Sequence, residues 1–585
     1  MVTQQARARG AGVARVRDGA RAARMRQGGL LAAGGAVLAL CVFFHVYRLG
    51  ATPGWDPQEG YNLDIAWNLL HGRLRLFALT SAFAQHPPLF YLQLALAIRV
   101  FGYSIVAVRA LAALYAILTC AVLLLAGRRM LGAGPALWAA LVFTVAPITL
   151  ANTRWGYSYA QLACVGVFCL WAGWRYAESG ERRWLLAAAA LAGLAAFSDY
   201  VGVAWIVFVA LLALRRAWRD AALAAGVGFG ILAAGLLACL VAAPAIFVSD
   251  VVTTSGRAAG GNPLLQVILL LLNYYRFLTL DPWLLLGVVG LFLVPARTRG
   301  YLLGAAVVLG LVVLKVRDLG TSIHTAVPLL PILALGAGVA LDAGLRRLYA
   351  WSLDWLRPLI PASPTSSVSP ASHSSDRHPG DQPHPLLRRQ VATLLVFLVV
   401  VSPLGLATAA DAVGLGGTLT TRQDDILATP GDARAAGRYV LAHAHSGDLV
   451  LASPTIAWMF DAPEGGSGGG GIQGADILQS ISQAGDQAAF YPAHLPADRW
   501  AYDVAPDRAR YVVVDDLLRR LATPGQAPAL QPILARVERW PVAFTAGQYT
   551  VYERPATAIA PGGPLAAKVR PSRTGETRRH GHPQN

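Results

Sequence analysis

IVAVRALAALYAILTCAVLLLAG, residues Ile105–Gly127, holds one charge, Arg109 near its start, and is otherwise apolar but for Tyr115 and Thr119. At about 1.5 Å per residue such a helix is roughly 34 Å long, enough to cross a hydrocarbon layer of about 30 Å. Comparable apolar runs recur through the first 345 positions. A backbone in lipid must satisfy its polar groups internally, so these runs read as helices. The fold class that follows is a polytopic α-helical membrane protein of about 10–12 spans, with a small C-terminal α/β domain.

The rest of the composition agrees. The 585 residues are 55% hydrophobic and 14% charged, with a mean hydropathy of +0.48, which excludes an ordinary soluble globular domain. The net charge of +17 is almost wholly arginine, lysine appearing only at Lys315 and Lys568. A pI near 10.0 invites a nucleic-acid reading. The arginines, however, fall in short loops between apolar runs, as the positive-inside rule describes, so the bilayer is the expected partner and nucleic acid is not. Cys41, Cys120, Cys164, Cys169 and Cys239 all lie inside apolar runs, which implies neither a disulfide framework nor a CxxC metal site.

In order, residues 1–28 form a basic cytoplasmic tail, and 29–49 a first span that is retained rather than cleaved as a signal peptide. The span delivers a loop, 51–104, to the outer face. Further spans are expected at 105–127, 135–152, 159–176, 184–198, 200–214, 221–246, 283–296, 301–315 and 324–343. This layout treats 89–101 and 264–281 as re-entrant or interfacial. It keeps Arg128-Arg129, Arg182-Arg183, Arg215-Arg216, Arg297 with Arg299, and Arg346-Arg347 on the inside. Residues 29–345 thus form the membrane domain. A Pro/Ser-rich linker (346–388), one further span (389–410), an extracytoplasmic α/β domain (411–555) and a disordered tail (556–585) follow. In that domain DLVLAS and ARYVVVDD read as buried strands and GQYTVYER as an edge strand. The insert EGGSGGGG (464–471) reads as a flexible loop, not a phosphate loop.

Within the first loop, Trp55–Tyr91 (WDPQEGYNLDIAWNLLHGRLRLFALTSAFAQHPPLFY) gathers acids, aromatics and a histidine. Asp56-Pro57-Gln58-Glu59 has the form of a helix start, with Asp as N-cap, Pro in the first turn and Glu at the third position. The helix should run to His71, where Gly72 can stop it, and lie along the membrane surface. Carboxylates are costly at mid-bilayer, and Asp56 and Glu59 avoid that cost at the interface.

Glu59-Gly60-Tyr61-Asn62, Ala66, Gly72, His86-Pro87-Pro88-Leu89, Phe101-Gly102-Tyr103-Ser104 and Arg109 stand in an order that resembles the first outer loop of GT-C glycosyltransferases. The branch is the one with aminoarabinose transferase-like and protein O-mannosyltransferase-like enzymes. Asn152–Tyr159 is similar to that family's second-loop Arg-aromatic motif, and Ile323–Pro328 with Pro331 to its late segment. The likeness covers about 29–345. In that branch an Asp that precedes the Glu is generally the catalytic carboxylate, and here that position is Gln58. Either Glu59 has the role, or Asp56 one turn away, or the enzyme is degenerate. A second departure is Asp199, where relatives often carry Lys.

The resemblance implies an integral membrane glycosyltransferase. It would move a sugar from a polyprenyl-phosphate donor to a lipid, cell-envelope glycan or protein hydroxyl, with inversion. The donor's phosphate is already a good leaving group, so one base and cations for the phosphate suffice. Glu59 or Asp56 would be the base. Arg154 and His86, with His324 or Arg317, would hold the phosphate. Tyr61, Tyr157 and Tyr159 would stack on sugar, or else belong to the interfacial aromatic belt. No cofactor or divalent metal is expected, since Asp56 and Glu59 alone make a thin oxygen cage. The competing readings are a transporter or flippase, which would put ionisable residues within paired spans, and an inactive scaffold. The expected location is the plasma membrane, with the active site outside.

Overall fold

The computed structural model describes residues 27–72, 87–242, 281–315, 327–359, 428–460, 471–486, 503–523 and 527–555, with a few isolated positions besides. His86, Arg317 and His324 lie outside the described residues, as do the 361–385 linker, the 390–409 span and the 556–585 tail. Nearly all of 1–28, 264–281 and 464–471 does too.

Helix α1 (Gln27–Val46) leads to α2 (Pro57–Leu70), α3 (Leu89–Phe101) and α4 (Ile105–Leu131). The start of α2 is the capping box read from the sequence: Gln58 N donates to Asp56 Oδ1 at 2.7 Å and Asp56 N to Glu59 Oε2 at 3.1 Å. It ends at His71, and Gly72 takes φ +64, a conformation in which other residues are strained. The helix does not lie along a membrane surface with one face open. Most residues from Glu59 to Asn68 are buried, because α3, α4 and the C-terminal domain enclose it. Helix α3 turns Leu92, Leu96 and Val100 outward in one apolar stripe, as does α4 with Leu114, Leu118 and Leu125. Such stripes suit lipid rather than water.

The expected span over 135–152 is two helices, α5 (Ala133–Val145) and α6 (Pro147–Arg154), bent by 61°. Pro147 has no N–H and drives Ala146 into an extended conformation, so the helix breaks there. The backbone N–H of Ile148, exposed by the break, is taken by Asp281 Oδ2 at 3.1 Å. Asp281 also caps the helix that starts at Pro282, by accepting from Trp283 N at 3.0 Å.

Helices α7 (Ser158–Ser179), α8 (Arg182–Ser198), α9 (Val203–Leu214) and α10 (Trp218–Ala242) follow, with a 3-10 turn at Tyr200–Gly202. Next come α11 (Pro282–Leu293), α12 (Ala296–Lys315) and α13 (Leu330–Leu359). Helix α13 runs well into the stretch expected to be linker. Gly287 and Gly290 of α11 lie against the backbone of Leu333 and Gly336 on α13, the close approach that small residues permit between helices in lipid. Among the described residues, four helices are by themselves long and apolar enough to cross a membrane: Gln27–Val46, Ile105–Leu131, Trp218–Ala242 and Val327–Leu353. The bent α5–α6 pair makes a fifth. The protein is a multi-pass membrane protein.

The bundle has two polar ends. At one, Arg182 pairs with Asp220 at 3.2 Å, Tyr176 donates to Asp220 at 2.9 Å, Arg216 to the Ala177 carbonyl at 2.7 Å, and Arg297 lies 3.6 Å from Glu178. Several of the arginine clusters expected on a single side therefore do share one end. The opposite end carries α2 and the 155–158 turn.

Over α2 sits a five-stranded sheet of order β2-β1-β3-β5-β4, with β1 Leu449–Ala452, β2 Gln473–Asp476, β3 Ala509–Val514, β4 Val542–Ala546 and β5 Tyr549–Glu553. Strand β1 pairs in parallel with β2 and β3, while β5 pairs antiparallel with β3 and β4. The strand expected at the edge, β5, is interior. Gly547, at φ +54, turns a tight hairpin that places β4 outside it.

This domain grips the membrane domain directly. Trp55 and Ala428 form a two-bond β-bridge, both bonds 3.0 Å. Arg434 lies 5.0 Å over the Trp55 ring and donates to the Gly50 carbonyl at 2.6 Å. Gly60 of α2 lies so near the chain after β1 that a Cβ would overlap the Pro454 carbonyl oxygen and stand 2.9 Å from Trp458 Cδ1. Gly60→Ala should therefore destabilise. Overpacking costs about 1–3 kcal/mol, more than the roughly 1 kcal/mol that helix propensity returns. The check is the melting temperature in detergent against Gly35→Ala, where nothing stands within 4 Å of the added Cβ.

Candidate active site

At the α2 end, local sequence and long-range packing meet. Glu59 is fully buried, and its carboxylate takes four donors. Arg109 Nε donates to Oε1 at 2.7 Å and Arg109 Nη2 to Oε2 at 2.6 Å; Gly156 N reaches Oε1 at 2.9 Å and Asp56 N reaches Oε2 at 3.1 Å. The guanidinium also donates to the carbonyls of Leu49 (3.0 Å), Pro53 (2.9 Å) and Gly54 (2.9 Å). A forked cation and a carboxylate thus tie α2, α4, the 49–54 loop and the 155–157 turn to one point. A base for an acceptor hydroxyl needs an oxygen directed at substrate, whereas both Glu59 oxygens are directed at these donors.

Asp56 stands one turn earlier and is 7% exposed, against 0% for Glu59. Tyr61 donates to Asp476 Oδ2 at 3.3 Å, reaching the end of β2 rather than open space. Asn62 Nδ2 donates to the Gly156 carbonyl at 2.6 Å, a second tie from α2 to the same turn. Tyr157 and Tyr159 follow that turn, both buried, their rings 6.1 Å apart and edge to face, with Trp155 5.8 Å from Tyr157.

Arg154 departs from its expected place as a phosphate contact. It is fully buried, and its guanidinium donates to the Thr52 carbonyl at 3.1 and 2.8 Å, to Tyr47 at 2.8 Å and to Phe44. These carbonyls lie at and beyond the end of α1, where helical partners run out. His45 supports the same joint, with Nε2 2.8 Å from Thr153 Oγ1. Of the sequence-derived site, the structure brings Asp56, Glu59 and Tyr61 together with the turn that carries Tyr157 and Tyr159.

Further polar residues meet at this end. Ser158 Oγ donates to Asp199 Oδ2 at 3.4 Å, and Gln93, Tyr115, Gln161 and Ser198 join across four helices. The available signal was two glutamines inside apolar helices, where uncharged polar residues are least expected.

Residues 85–247 match the family model described as dolichyl-phosphate-mannose-protein mannosyltransferase. Among solved structures, ArnT from Cupriavidus metallidurans bound to undecaprenyl phosphate aligns with a TM-score of 0.55 at 17% identity, over 91% of this chain and 99% of that one. The same protein in its apo state gives 0.54 at 16%, over 92% and 100%. No curated protein matches in sequence. At such identities the structural likeness is one of fold, the GT-C fold. The chain shares that fold, and its 85–247 segment is similar to the family described above.

If the Glu59–Arg109 pair is the joint described, removing either partner leaves a buried charge alone and costs about 3–5 kcal/mol. Glu59→Gln and Arg109→Met should each sharply lower the yield of folded protein. A double-mutant cycle on melting in detergent should give strong coupling; additive losses would show the pair holds nothing together.

Proposed function

We propose that this chain transfers a sugar from a polyprenyl-phosphate donor to an acceptor hydroxyl on the outer face of the membrane, with inversion at the anomeric carbon. The observation that carries the reading is the meeting of α2, the 155–158 turn and the soluble domain at one end of a GT-C bundle. That end is opposite the arginine clusters, and the positive-inside rule makes the arginine end cytoplasmic. The ArnT structure of like fold is one bound to undecaprenyl phosphate, which supports a donor of that lipid class here. The acceptor is a lipid, a cell-envelope glycan or a protein hydroxyl.

In the proposed step Asp56 takes the proton of the acceptor hydroxyl as its oxygen bonds to the anomeric carbon. The bond from that carbon to the phosphate oxygen breaks, and polyprenyl phosphate leaves with the electron pair. Glu59, held by Arg109, positions α2 rather than acting as base. His86, Arg317 and His324 are the proposed phosphate contacts, while Arg154 serves the end of α1. Tyr157 and Tyr159 would flank the sugar. The scheme draws on no divalent ion.

The test is sugar transfer by the full chain in lipid, from a panel of polyprenyl-phosphate sugars. Asp56→Asn should lower kcat by about 10²–10⁴-fold, the usual contribution of a positioned base, with donor binding kept. A variant as fast as wild type would move the base elsewhere. Substrate crossing the bilayer without transfer would make the protein a transporter.

A further inference from the structure

Below the α2 layer the bundle encloses a chain of polar side chains that the proposed chemistry leaves unused. Gln161 on α7 donates to Gln93 Oε1 on α3 at 2.5 Å and stands 3.2 Å from the Tyr115 hydroxyl on α4. Tyr115 donates to Gln93 as well, and Ser198, the last residue of α8, donates to Gln161 Oε1. Beside Ser198, Asp199 is 9% exposed and sits where α8 gives way to the 3-10 turn. Its Oδ1 accepts from Val201 N at 3.0 Å and its Oδ2 from Ser158 Oγ at 3.4 Å. Tyr91, on α3, is in electrostatic reach of the carboxylate.

Amides and hydroxyls from four helices, with a carboxylate next to them, are costly to enclose in a membrane domain, and an ionisable residue there marks a functional site by default. Among the described residues no Lys, Arg or His forms an ion pair with Asp199. The position is not remote from the site. Ser158 lies between Tyr157 and Tyr159, two residues after Gly156, whose N–H and carbonyl bond Glu59 and Asn62 of α2. With no cation paired to it among the described residues, the carboxylate opposes an anion at this position. What suits a carboxylate, a serine hydroxyl and flanking tyrosine rings is a neutral polyol: adjacent hydroxyls donate to the carboxylate, and the ring's CH face lies on an aromatic.

We propose that Asp199 and Ser158 form the sugar-hydroxyl subsite of the donor site, taking a neutral sugar and rejecting one that bears a carboxylate. This assignment rests on the donor reading above, and the two fail in different ways.

The experiment measures binding, not turnover, with the full chain in nanodiscs. The probes are undecaprenyl phosphate alone, undecaprenyl-phosphate derivatives of a panel of neutral hexoses and pentoses, and the glucuronic acid derivative. Wild type should bind at least one neutral-sugar lipid about ten- to a hundredfold more tightly than the bare lipid phosphate, as a hydrogen bond to a charged group confers. The glucuronate should gain nothing. Asp199→Asn, nearly isosteric and still able to accept from Val201 N, should lose most of that gain while its affinity for undecaprenyl phosphate stays within about twofold. Ser158→Ala should lose a smaller part, and serves alone if the Asp199 variant does not fold. A gain unchanged in the variants, or absent for every neutral sugar while the bare lipid phosphate binds, overturns the subsite. Failure of wild type to bind any of these lipids overturns the donor reading itself.

Discussion

One ion pair, sealed from water, organises the end of this protein where chemistry is proposed. Removing a guanidinium and a carboxylate from water costs several kcal/mol per ion, and attraction offsets that only where the remaining donors and acceptors are also met. Here they are met, by Gly156 N, Asp56 N and the carbonyls of Leu49, Pro53 and Gly54. The consequence is geometric. A loop, a capped helix, a membrane span and a turn between spans all take their positions from one Arg109–Glu59 contact of 2.6 Å. The turn that presents Tyr157 and Tyr159 is thereby fixed relative to Asp56.

The same end is where regular helix gives out, and each break is met by a side chain. Pro147 frees the Ile148 N–H, which Asp281 takes; α1 ends in carbonyls, which Arg154 takes; α8 ends at Asp199, which turns back to accept from Val201 N. Irregular backbone at membrane depth is tolerated where protein groups satisfy it, and such breaks commonly line a binding region. The arginine end shows no comparable pattern of breaks among the described residues: there the charges pair at the ends of continuous helices.

How much of this could be read from sequence depends on the range of the interaction. The start and stop of α2 were legible because a capping box and a terminal glycine act within four residues. Apolar length made the long helices Gln27–Val46, Ile105–Leu131, Trp218–Ala242 and Val327–Leu353 legible, and the break in the 135–152 run lies in the sequence at Pro147. Glu59 and Arg109 both belong to the first-loop motif, but their pairing joins residues 50 apart and no periodicity records it. Arg154 shows the limit from the other side. An arginine beside aromatics at an interface fits a phosphate, and only the folded chain reveals three carbonyl oxygens in its reach. The sheet was legible as strands but not in order, since β5 becomes interior only through a hairpin partner with an exposed pattern.

The contact from Tyr61 to Asp476 spans 415 residues of chain. During synthesis at about 5–20 residues per second, α2 therefore waits roughly 20 to 80 s for the strand that covers it. Through that interval the membrane bundle is already inserting while the helix bearing Asp56 and Glu59 lacks its roof. Completion of the site is thus a late event in the life of the molecule, and a chain cut short before Ala428 carries every described helix of the bundle without the domain that closes over α2.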